Sequence, residues 1–203
     1  MIAIVNYDMG NLRSVQKGFQ KIGAEAVITR DPDVIEKADG LVLPGVGAFG
    51  LCMDKLNQYS LVNPILDFIA SKKPFLGICL GLQLLFEESV EFGSRKGLGV
   101  IKGKVIRFKT NGLKVPHIGW NSVGITKKSP LMEGLPDQTF YYFVHSFYVV
   151  PEEDVAIGET EYGKPFVCAI QKENVFATQF HPEKSQDAGL KMLENFYRMT
   201  QNG

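Results

Sequence analysis

The sequence has few cysteines, no net charge and no long apolar run, and each of these features excludes a class of protein. Its three cysteines, at positions 52, 79 and 168, are widely spaced, which argues against a disulfide framework. We therefore expect a protein of the reducing cytoplasm. Lys+Arg (22) equals Asp+Glu (22), so the charge gives no support to binding of nucleic acid or a membrane surface. The longest apolar runs, such as residues 74–80, are too short to span a bilayer.

The remaining composition is that of a globular protein. Hydrophobic residues make up 45% and charged residues 22% of the 203 positions, which excludes a disordered chain. The sequence shows no internal repeat, linker or low-complexity segment. At this length we expect one domain over residues 1–203.

The first half of the chain alternates short apolar strands with amphipathic helices. Strands are predicted over residues 2–5, 26–28, 41–43 and 75–78. Helices are predicted to begin after the caps Asn11 and Asp31, at Pro64 and after Cys79, the last continuing through Phe86. This alternation is typical of a parallel sheet covered on both faces.

The second half has the pattern of antiparallel strands. They are predicted over residues 104–109, 140–150, 155–160, 166–171 and 175–180, with a hairpin turn at residues 173–174. A final helix is predicted over residues 189–201. The expected fold is α/β and flavodoxin-like, with a doubly wound, mostly parallel sheet and an antiparallel extension.

Cys79 is the strongest candidate for a nucleophile. It stands between a predicted strand and a predicted helix, in the motif Gly-Ile-Cys-Leu-Gly of residues 77–81. Flanking glycines permit a tight turn that exposes the side chain. A helix N-terminus favours the thiolate, and the Leu80 N–H would be free to stabilise an oxyanion.

A cysteine nucleophile needs a base, and His181 is the best candidate. It follows a predicted strand, at the end of the sheet where α/β sites gather. Glu183 is near enough in sequence to orient its imidazole. His145 lies within an apolar run, so we expect a structural role for it. No His/Cys pair has the spacing of metal ligands, so we expect no metal.

The residues 44–47, Pro-Gly-Val-Gly, also end a predicted strand. Their glycines allow backbone N–H groups to face an anion, although a simple strand-to-helix turn explains them equally well. They are not a phosphate loop, because the required Gly-Lys-Ser/Thr spacing is absent.

The segment 77–83 together with 181–183 resembles the class I (triad) glutamine amidotransferase family, and the resemblance covers essentially the whole chain. Within that family, five further segments resemble the glutaminase subunits of imidazole glycerol phosphate synthases: residues 6–12, 44–49, 116–121, 142–146 and 181–185.

The resemblance implies a fold, an activity and a partner. Glutamine would be hydrolysed, and the ammonia would pass to a separate cyclase subunit with a (β/α)₈ barrel in a heterodimer. That subunit would form imidazole glycerol phosphate and an aminoimidazole carboxamide ribotide in histidine biosynthesis. The family implies no cofactor.

The resemblance also implies roles for individual residues. Cys79, His181 and Glu183 would form the triad. The N–H of Leu80 and a backbone N–H at Val46 or Gly47 would form the oxyanion hole. The residues implied to contact glutamine are Gln83, Ser146 and Gly45, and those implied to lie near the partner or the ammonia exit are Asn11, Trp120, Asn121, Tyr142 and Lys184.

Three alternatives remain open at this point. The first is an amidotransferase subunit for anthranilate, pyridoxal phosphate or guanylate synthesis, which segments 44–49 and 116–121 disfavour. The second is a non-enzymatic flavodoxin-like binding module, which the intact triad disfavours. The third is a peptidase-type cysteine hydrolase, which would cleave peptides.

Overall fold

Parallel strands form the half of the sheet that carries the candidate site. A computed structural model describes residues 1–109 and 112–201. Its parallel strands are β1 (Ile2–Val5), β2 (Ala26–Thr29), β3 (Gly40–Gly45), β4 (Phe75–Cys79) and β13 (Val175–Thr178). They lie in the order β2-β1-β3-β4-β13. All but β2 are buried along their whole length, as expected of strands covered on both faces.

Helices cover both faces of these strands. On one face lie α1 (Leu12–Lys21) and α6 (Gln186–Met199), and on the other lie α2 (Pro32–Lys37), α3 (Phe49–Gln58) and α4 (Val62–Ala70). The side chains of β1 alternate between the two faces, because successive residues of a strand point to opposite sides. Ile2 and Ile4 join the core under α1 and α6, whereas Ala3 and Val5 join the other. The expected doubly wound arrangement is confirmed.

Local capping explains two predicted helix starts. Asn11 Oδ1 accepts a hydrogen bond from the Ser14 N–H at 3.4 Å at the start of α1. Asp31 Oδ1 accepts one from the Asp33 N–H at 3.0 Å at the start of α2. Both caps were predicted and are confirmed.

Other helix bounds differ from the prediction. The helix expected at Pro64 begins at Val62, and the last helix begins at Gln186. The sequence carries no local start signal for α3, because its N-cap residue, Ala48, has no capping side chain. The helix predicted after Cys79 exists, but its predicted end at Phe86 is wrong: α5 covers only Leu80–Leu84, and Phe86 begins the next strand.

An extension continues the sheet beyond β13. Its strands are β5 (Phe86–Ser89), β6 (Arg95–Lys96), β7 (Ile101–Arg107), β8 (His117–Ile125), β9 (Thr139–His145), β10 (Phe147–Pro151), β11 (Ala156–Glu161) and β12 (Pro165–Lys172). These strands pair antiparallel apart from β5 and β7, which are parallel. The sheet runs on from β13 as β12-β10-β7-β5-β6, while β11 joins β12 to β8, which pairs with β9. The hairpin predicted at residues 173–174 joins β12 to β13.

The predicted strand over residues 140–150 is divided at Ser146. Its first part, β9, pairs with β8, and its second part, β10, pairs with β7 and β12. Because the two parts pair with different strands, the chain bends between them and places Ser146 beside the candidate site. None of the helices in the described part of the chain has the length and apolar character that crossing a bilayer requires.

Candidate active site

Cys79 lies on a sharp turn between β4 and α5. Its backbone has φ 56° and ψ −108°, a conformation that residues with a side chain rarely adopt. The two glycines of the motif make room for this turn. A Cβ on Gly81 would lie 1.8 Å from the Leu43 carbonyl oxygen, and one on Gly77 would lie 2.8 Å from the Gly81 oxygen. The spacing of the motif is therefore a packing requirement of the turn.

The register of the parallel strands brings the other segments to this cysteine. Gly45, at the end of β3, lies opposite Cys79. On the other side, Thr178 of β13 lies opposite Ile78, so the chain that continues to His181 passes next to Cys79. The backbone N–H of His181 donates to the Tyr142 carbonyl at 3.0 Å, which holds the backbone that carries the imidazole.

His181 and Glu183 form a buried pair. The distance from His181 Nδ1 to Glu183 Oε1 is 2.8 Å, and their side chains are 3% and 1% exposed. Burial lowers the pKa of His181, but its interaction with nearby Cys79 and its hydrogen bond and charge interaction with Glu183 outweigh burial and raise that pKa to about 10. The other ring nitrogen, Nε2, has no hydrogen-bond partner among the described residues. This geometry leaves Nε2 free to exchange a proton.

A cavity of about 290 Å³ opens over the cysteine. Seven of the residues predicted for catalysis or glutamine binding line it: Val46, Gly47, Cys79, Leu80, Gln83, Ser146 and His181. Glu183 supports His181 from behind. Gly45 also lies behind the wall, where a Cβ would come within 2.7 Å of the Tyr7 hydroxyl and 2.8 Å of the Leu80 Cβ. The structure thus gathers most of the predicted residues around one small cavity.

Gln83 faces the cavity, yet its amide nitrogen is already bonded within the protein. Nε2 donates to the Phe147 carbonyl at 3.1 Å and to Gln179 Oε1 at 3.0 Å. These contacts tie the end of α5 to β10 and to the segment after β13. Gln83 is therefore also a support of the cavity wall.

The two segments expected to stabilise an oxyanion lie side by side. Leu80 is the first residue of α5, so its N–H has no acceptor within the helix. The Val46 carbonyl accepts a hydrogen bond from the buried Cys52 thiol at 3.5 Å. The next residue, Gly47, has φ +94°, which favours glycine.

The other two histidines are structural. His117 Nδ1 lies 2.9 Å from His145 Nε2, and His145 Nδ1 lies 2.7 Å from the Phe147 carbonyl oxygen. Burial lowers the pKa of His117 to about 4. Burial is also the largest cause of the shift at His145, whose pKa is lowered to about 3. Both imidazoles are thus neutral at physiological pH, in agreement with the structural role expected of His145.

An exposed apolar face lies on the β8–β9 pair next to the cavity. Trp120 is paired with Tyr142 across the two strands, and it is 46% exposed. Ile118 and Phe140, on the same face, are 60% and 59% exposed. The Lys184 ammonium lies 5.8 Å from the centre of the Tyr142 ring.

Two other residues predicted near the partner lie elsewhere. Asn121 is on the opposite face of β8, where its side chain donates to the Glu161 carbonyl at 2.8 Å. Asn11 is the exposed cap of α1. Neither belongs to the apolar face around Trp120.

The comparison with protein families decides the family. The model described as "Glutamine amidotransferase class-I" matches residues 3–200. The chain belongs to the class I glutamine amidotransferases. Membership makes the chain an enzyme and excludes the binding module and the peptidase.

Curated relatives show to which subgroup of the family this amidotransferase belongs. It is 55% identical to "Imidazole glycerol phosphate synthase subunit HisH" of Syntrophotalea carbinolica, with 97% of this chain and 98% of the relative covered. The HisH proteins of Aquifex aeolicus (54%; 96% and 95% covered) and Methanothermobacter thermautotrophicus (53%; 97% and 97% covered) are similarly close. This amidotransferase is thus of the HisH type. HisH is named as a subunit, so a partner subunit is implied.

Solved structures confirm the fold. "Structure of PurLQS from Thermotoga maritima" superimposes with a TM-score of 0.78 at 18% identity, covering 97% of each chain. A putative GMP synthase subunit of Thermoplasma acidophilum superimposes with a TM-score of 0.72 at 20% identity, covering 99% of this chain and 94% of the other. At such identities the likeness concerns the fold alone.

Sequence reasoning missed the acidic residue of this amidotransferase's cavity. Glu91 lines the cavity, and its Oε2 accepts a hydrogen bond from the Phe49 N–H at 2.6 Å, at the start of α3. It supplies the cap that the sequence around Ala48 lacks. No local sequence pattern identifies Glu91 as a site residue, because the residues that it contacts in the site, such as Phe49, are distant in the sequence.

Proposed function

We propose that this amidotransferase hydrolyses glutamine to glutamate and ammonia at Cys79. We further propose that the ammonia passes to a cyclase partner with a (β/α)₈ barrel. The partner would form imidazole glycerol phosphate and aminoimidazole carboxamide ribotide in histidine biosynthesis. The observation that carries the proposal is the buried His181–Glu183 pair beside a cysteine on a strained turn.

The reaction proceeds through a thioester. The Cys79 thiolate attacks the side-chain amide carbon of glutamine, and the charged imidazole of His181 gives its Nε2 proton to the leaving ammonia. The neutral imidazole then takes a proton from water, whose oxygen attacks the thioester carbon. The C–S bond then breaks and regenerates the thiolate, and the proton taken from water stays on His181 as the imidazolium. The product carboxylic acid loses its other proton to solvent and leaves as glutamate. Acyl transfer of this kind balances without a metal or a redox cofactor.

Glu183 and the backbone complete the catalytic group. Because Glu183 accepts from Nδ1, it keeps the Nε2 side of the ring facing the sulfur. The N–H of Leu80 and a second N–H at Val46 or Gly47 stabilise the negative oxygen of the tetrahedral intermediate. Each such donor is worth about 10²–10³ in rate.

Recognition of glutamine needs a negative group for its α-ammonium. Among the described residues that line the cavity, Glu91 is the acidic one, and Gln83 and Ser146 line the same cavity. We assign the ammonium contact to Glu91 and the remaining polar contacts to Gln83 and Ser146. Gly45 contributes by letting β3 approach Leu80 closely.

The apolar β8–β9 face is the proposed docking surface for the cyclase. Trp120 is half-exposed, and tryptophan is enriched among residues that anchor interfaces. Tyr142 and Lys184 adjoin it and lie between that surface and His181. Asn121 would act indirectly, by holding β8 in place. Asn11, which caps α1 outside this face, would contact the cyclase separately.

Two broader expectations accompany this function. We propose that residues 1–203 act as one amidotransferase domain. We also propose a cytoplasmic location, which suits the three cysteines, all of them free.

The decisive test is Cys79→Ala in the complex with the cyclase. We expect glutamate formation to be lost, while folding, partner binding and synthesis from ammonium salts persist. Cys168→Ala is the matched control, because that cysteine is buried away from the cavity and should leave hydrolysis intact. Near-normal glutamine turnover by Cys79→Ala would show that the nucleophile is another group.

The partner surface has its own test. Trp120→Ala should weaken binding to the cyclase at least tenfold, a loss typical of a buried aromatic anchor. Phe92→Ala, which removes a 91% exposed aromatic outside the β8–β9 face, is the control. Equal affinities for both variants in a titration would remove Trp120 from the interface.

A further inference from the structure

Gln179 lies directly beside the nucleophile and is fully buried. It follows β13, and because Thr178 is in register with Ile78, Gln179 is the neighbour of Cys79 across the two strands. Its backbone N–H donates to the Cys168 carbonyl at 2.8 Å. Its side-chain Nε2 lies 3.7 Å from Cys79 Sγ, within reach of a hydrogen bond to sulfur.

One backbone carbonyl decides which end of the Gln179 amide faces the sulfur. The Phe147 carbonyl can only accept, so Gln83 must direct its Nε2 toward it, at 3.1 Å. The same Nε2 lies 3.0 Å from the Gln179 side chain, whose facing atom must therefore be the acceptor Oε1. The Gln179 NH₂ group is left to face Cys79. The assignment follows from hydrogen-bond chemistry.

The Phe147 carbonyl is itself held in place. It also accepts from His145 Nδ1 at 2.7 Å, which fixes the tautomer of that ring. His145 Nε2 is then an acceptor for His117 Nδ1 at 2.9 Å. Two buried side chains thus secure the carbonyl from one side, and Gln83 uses it from the other.

From this arrangement we propose that Gln179 is a further catalytic residue, whose amide N–H stabilises the Cys79 thiolate. The inference rests on the proposed role of Cys79 as the nucleophile. An N–H donor contributes more to an anionic acceptor than to a neutral one, so the bond favours the thiolate over the thiol. Gln179 is uncharged, and it therefore holds the thiolate without competing with His181 for a proton.

Other groups around Cys79 also act on the thiolate. His181 and Glu183 follow β13, Glu91 and His145 line the cavity, and Tyr7 and Cys52 lie behind β3. None of these is changed by a substitution at Gln179. A difference between the parent and an uncharged variant at Gln179 therefore reports the amide.

The experiment measures alkylation of Cys79 in the full chain by iodoacetamide across pH. The thiolate is the reacting form, so the pH midpoint of the rate reports its stability. Cys79→Ala gives the background from Cys52 and Cys168, which are fully buried. Gln179→Met keeps the length of the side chain and removes the donor. We expect its midpoint to rise by about one pH unit, and kcat/KM for glutamine to fall about tenfold, mainly through kcat.

A second variant and a control keep the result interpretable. Gln179→Glu retains the acceptor for Gln83 but presents a carboxylate oxygen to the sulfur, so it removes the donor and also repels the thiolate. Its midpoint should therefore rise further than that of Gln179→Met. Gln171→Met removes an amide on β12 that bonds the Glu173 carbonyl, and it should match the parent. Alkylation profiles of both Gln179 variants that coincide with the parent would overturn the proposal. Glutamine hydrolysis by Cys79→Ala would instead overturn the proposed function, independently of this result.

Discussion

Replacing Cys79 by glycine and by alanine separates the strain of the turn from the chemistry of the sulfur. The residue has φ 56° and ψ −108°. A residue with a side chain held in such a conformation costs about 1–3 kcal/mol, and glycine largely avoids this cost. Both variants lack the thiol, so the difference between them in the free energy of unfolding isolates the backbone.

The expected difference in the free energy of unfolding follows from two effects that destabilise the glycine variant and one that stabilises it. At an ordinary buried site, Ala→Gly removes a methyl worth about 0.8 kcal/mol. It also makes the unfolded chain more flexible, at a cost of about 0.4–1 kcal/mol. At Cys79 the released strain, about 2 kcal/mol, outweighs both. Cys79→Gly should therefore be at least as stable as Cys79→Ala.

A neighbouring strand supplies the reference. Ala177 is fully buried in β13, where the backbone is extended, so Ala177→Gly should lose about 1.5 kcal/mol. Urea unfolding followed by circular dichroism measures all three variants and the parent. If Cys79→Gly is less stable than Cys79→Ala by the amount that Ala177→Gly loses, the turn stores no strain and the argument fails.

The parallel half of the fold was predictable because its signals are local. Apolar runs such as Leu41–Leu43 mark strands, and the caps Asn11 and Asp31 mark helix starts within one turn. The Gly-x-Cys-x-Gly spacing around Cys79 is also local, since its glycines are required by contacts within the turn and with the adjacent β3. These features needed no knowledge of distant residues.

The errors arise where distant pairing decides the structure. The sequence pattern predicts a helix at Phe86, but Phe86 pairs with Ile101 of β7 and therefore belongs to a strand, β5. The continuous apolar run of residues 140–150 hides the bend at Ser146, because its two parts join different strands.

The site shows the same division between local and distant signals. Cys79, His181 and Glu183 stand in short motifs, so the sequence was sufficient to select them. Glu91 enters the cavity because it caps α3 from 42 positions away. Gln179 stands two residues before His181, yet its relation to the sulfur depends on the register of β13 with β4 and on Gln83. Such a role becomes visible only after the strands are aligned.

Four further predictions concern the catalytic group and its backbone. Glu183→Gln should reduce kcat/KM less than His181→Ala, since orienting the ring contributes less than the proton transfer, which is worth about 10²–10⁴-fold; equal losses in the same glutaminase assay would contradict this. Because the pKa of His181 is raised to about 10, its contribution to folding is complete below about pH 6.5 and is lost as pH rises toward 10. Between about pH 6.5 and 10 the free energy of unfolding, measured by urea titration, should thus fall more for the parent than for His181→Gln. Equal decreases in both proteins would show that protonation of His181 does not contribute to stability. Gly81→Ala should destabilise the fold by about 3 kcal/mol or more and abolish hydrolysis, because its Cβ would meet a backbone oxygen at 1.8 Å, and a variant that keeps the parent's melting temperature would disprove that clash. Finally, Gly47→Val should lower kcat about 10²–10³-fold with little change in KM. A β-branched residue cannot adopt φ +94°, so the backbone has to change conformation there and the N–H of the proposed oxyanion hole is displaced. Gly99→Val, at φ +67° with open space around it, imposes similar strain away from the cavity. It should cost stability but not turnover, so equal kcat values for the two variants would show that the backbone at Gly47 holds no oxyanion donor.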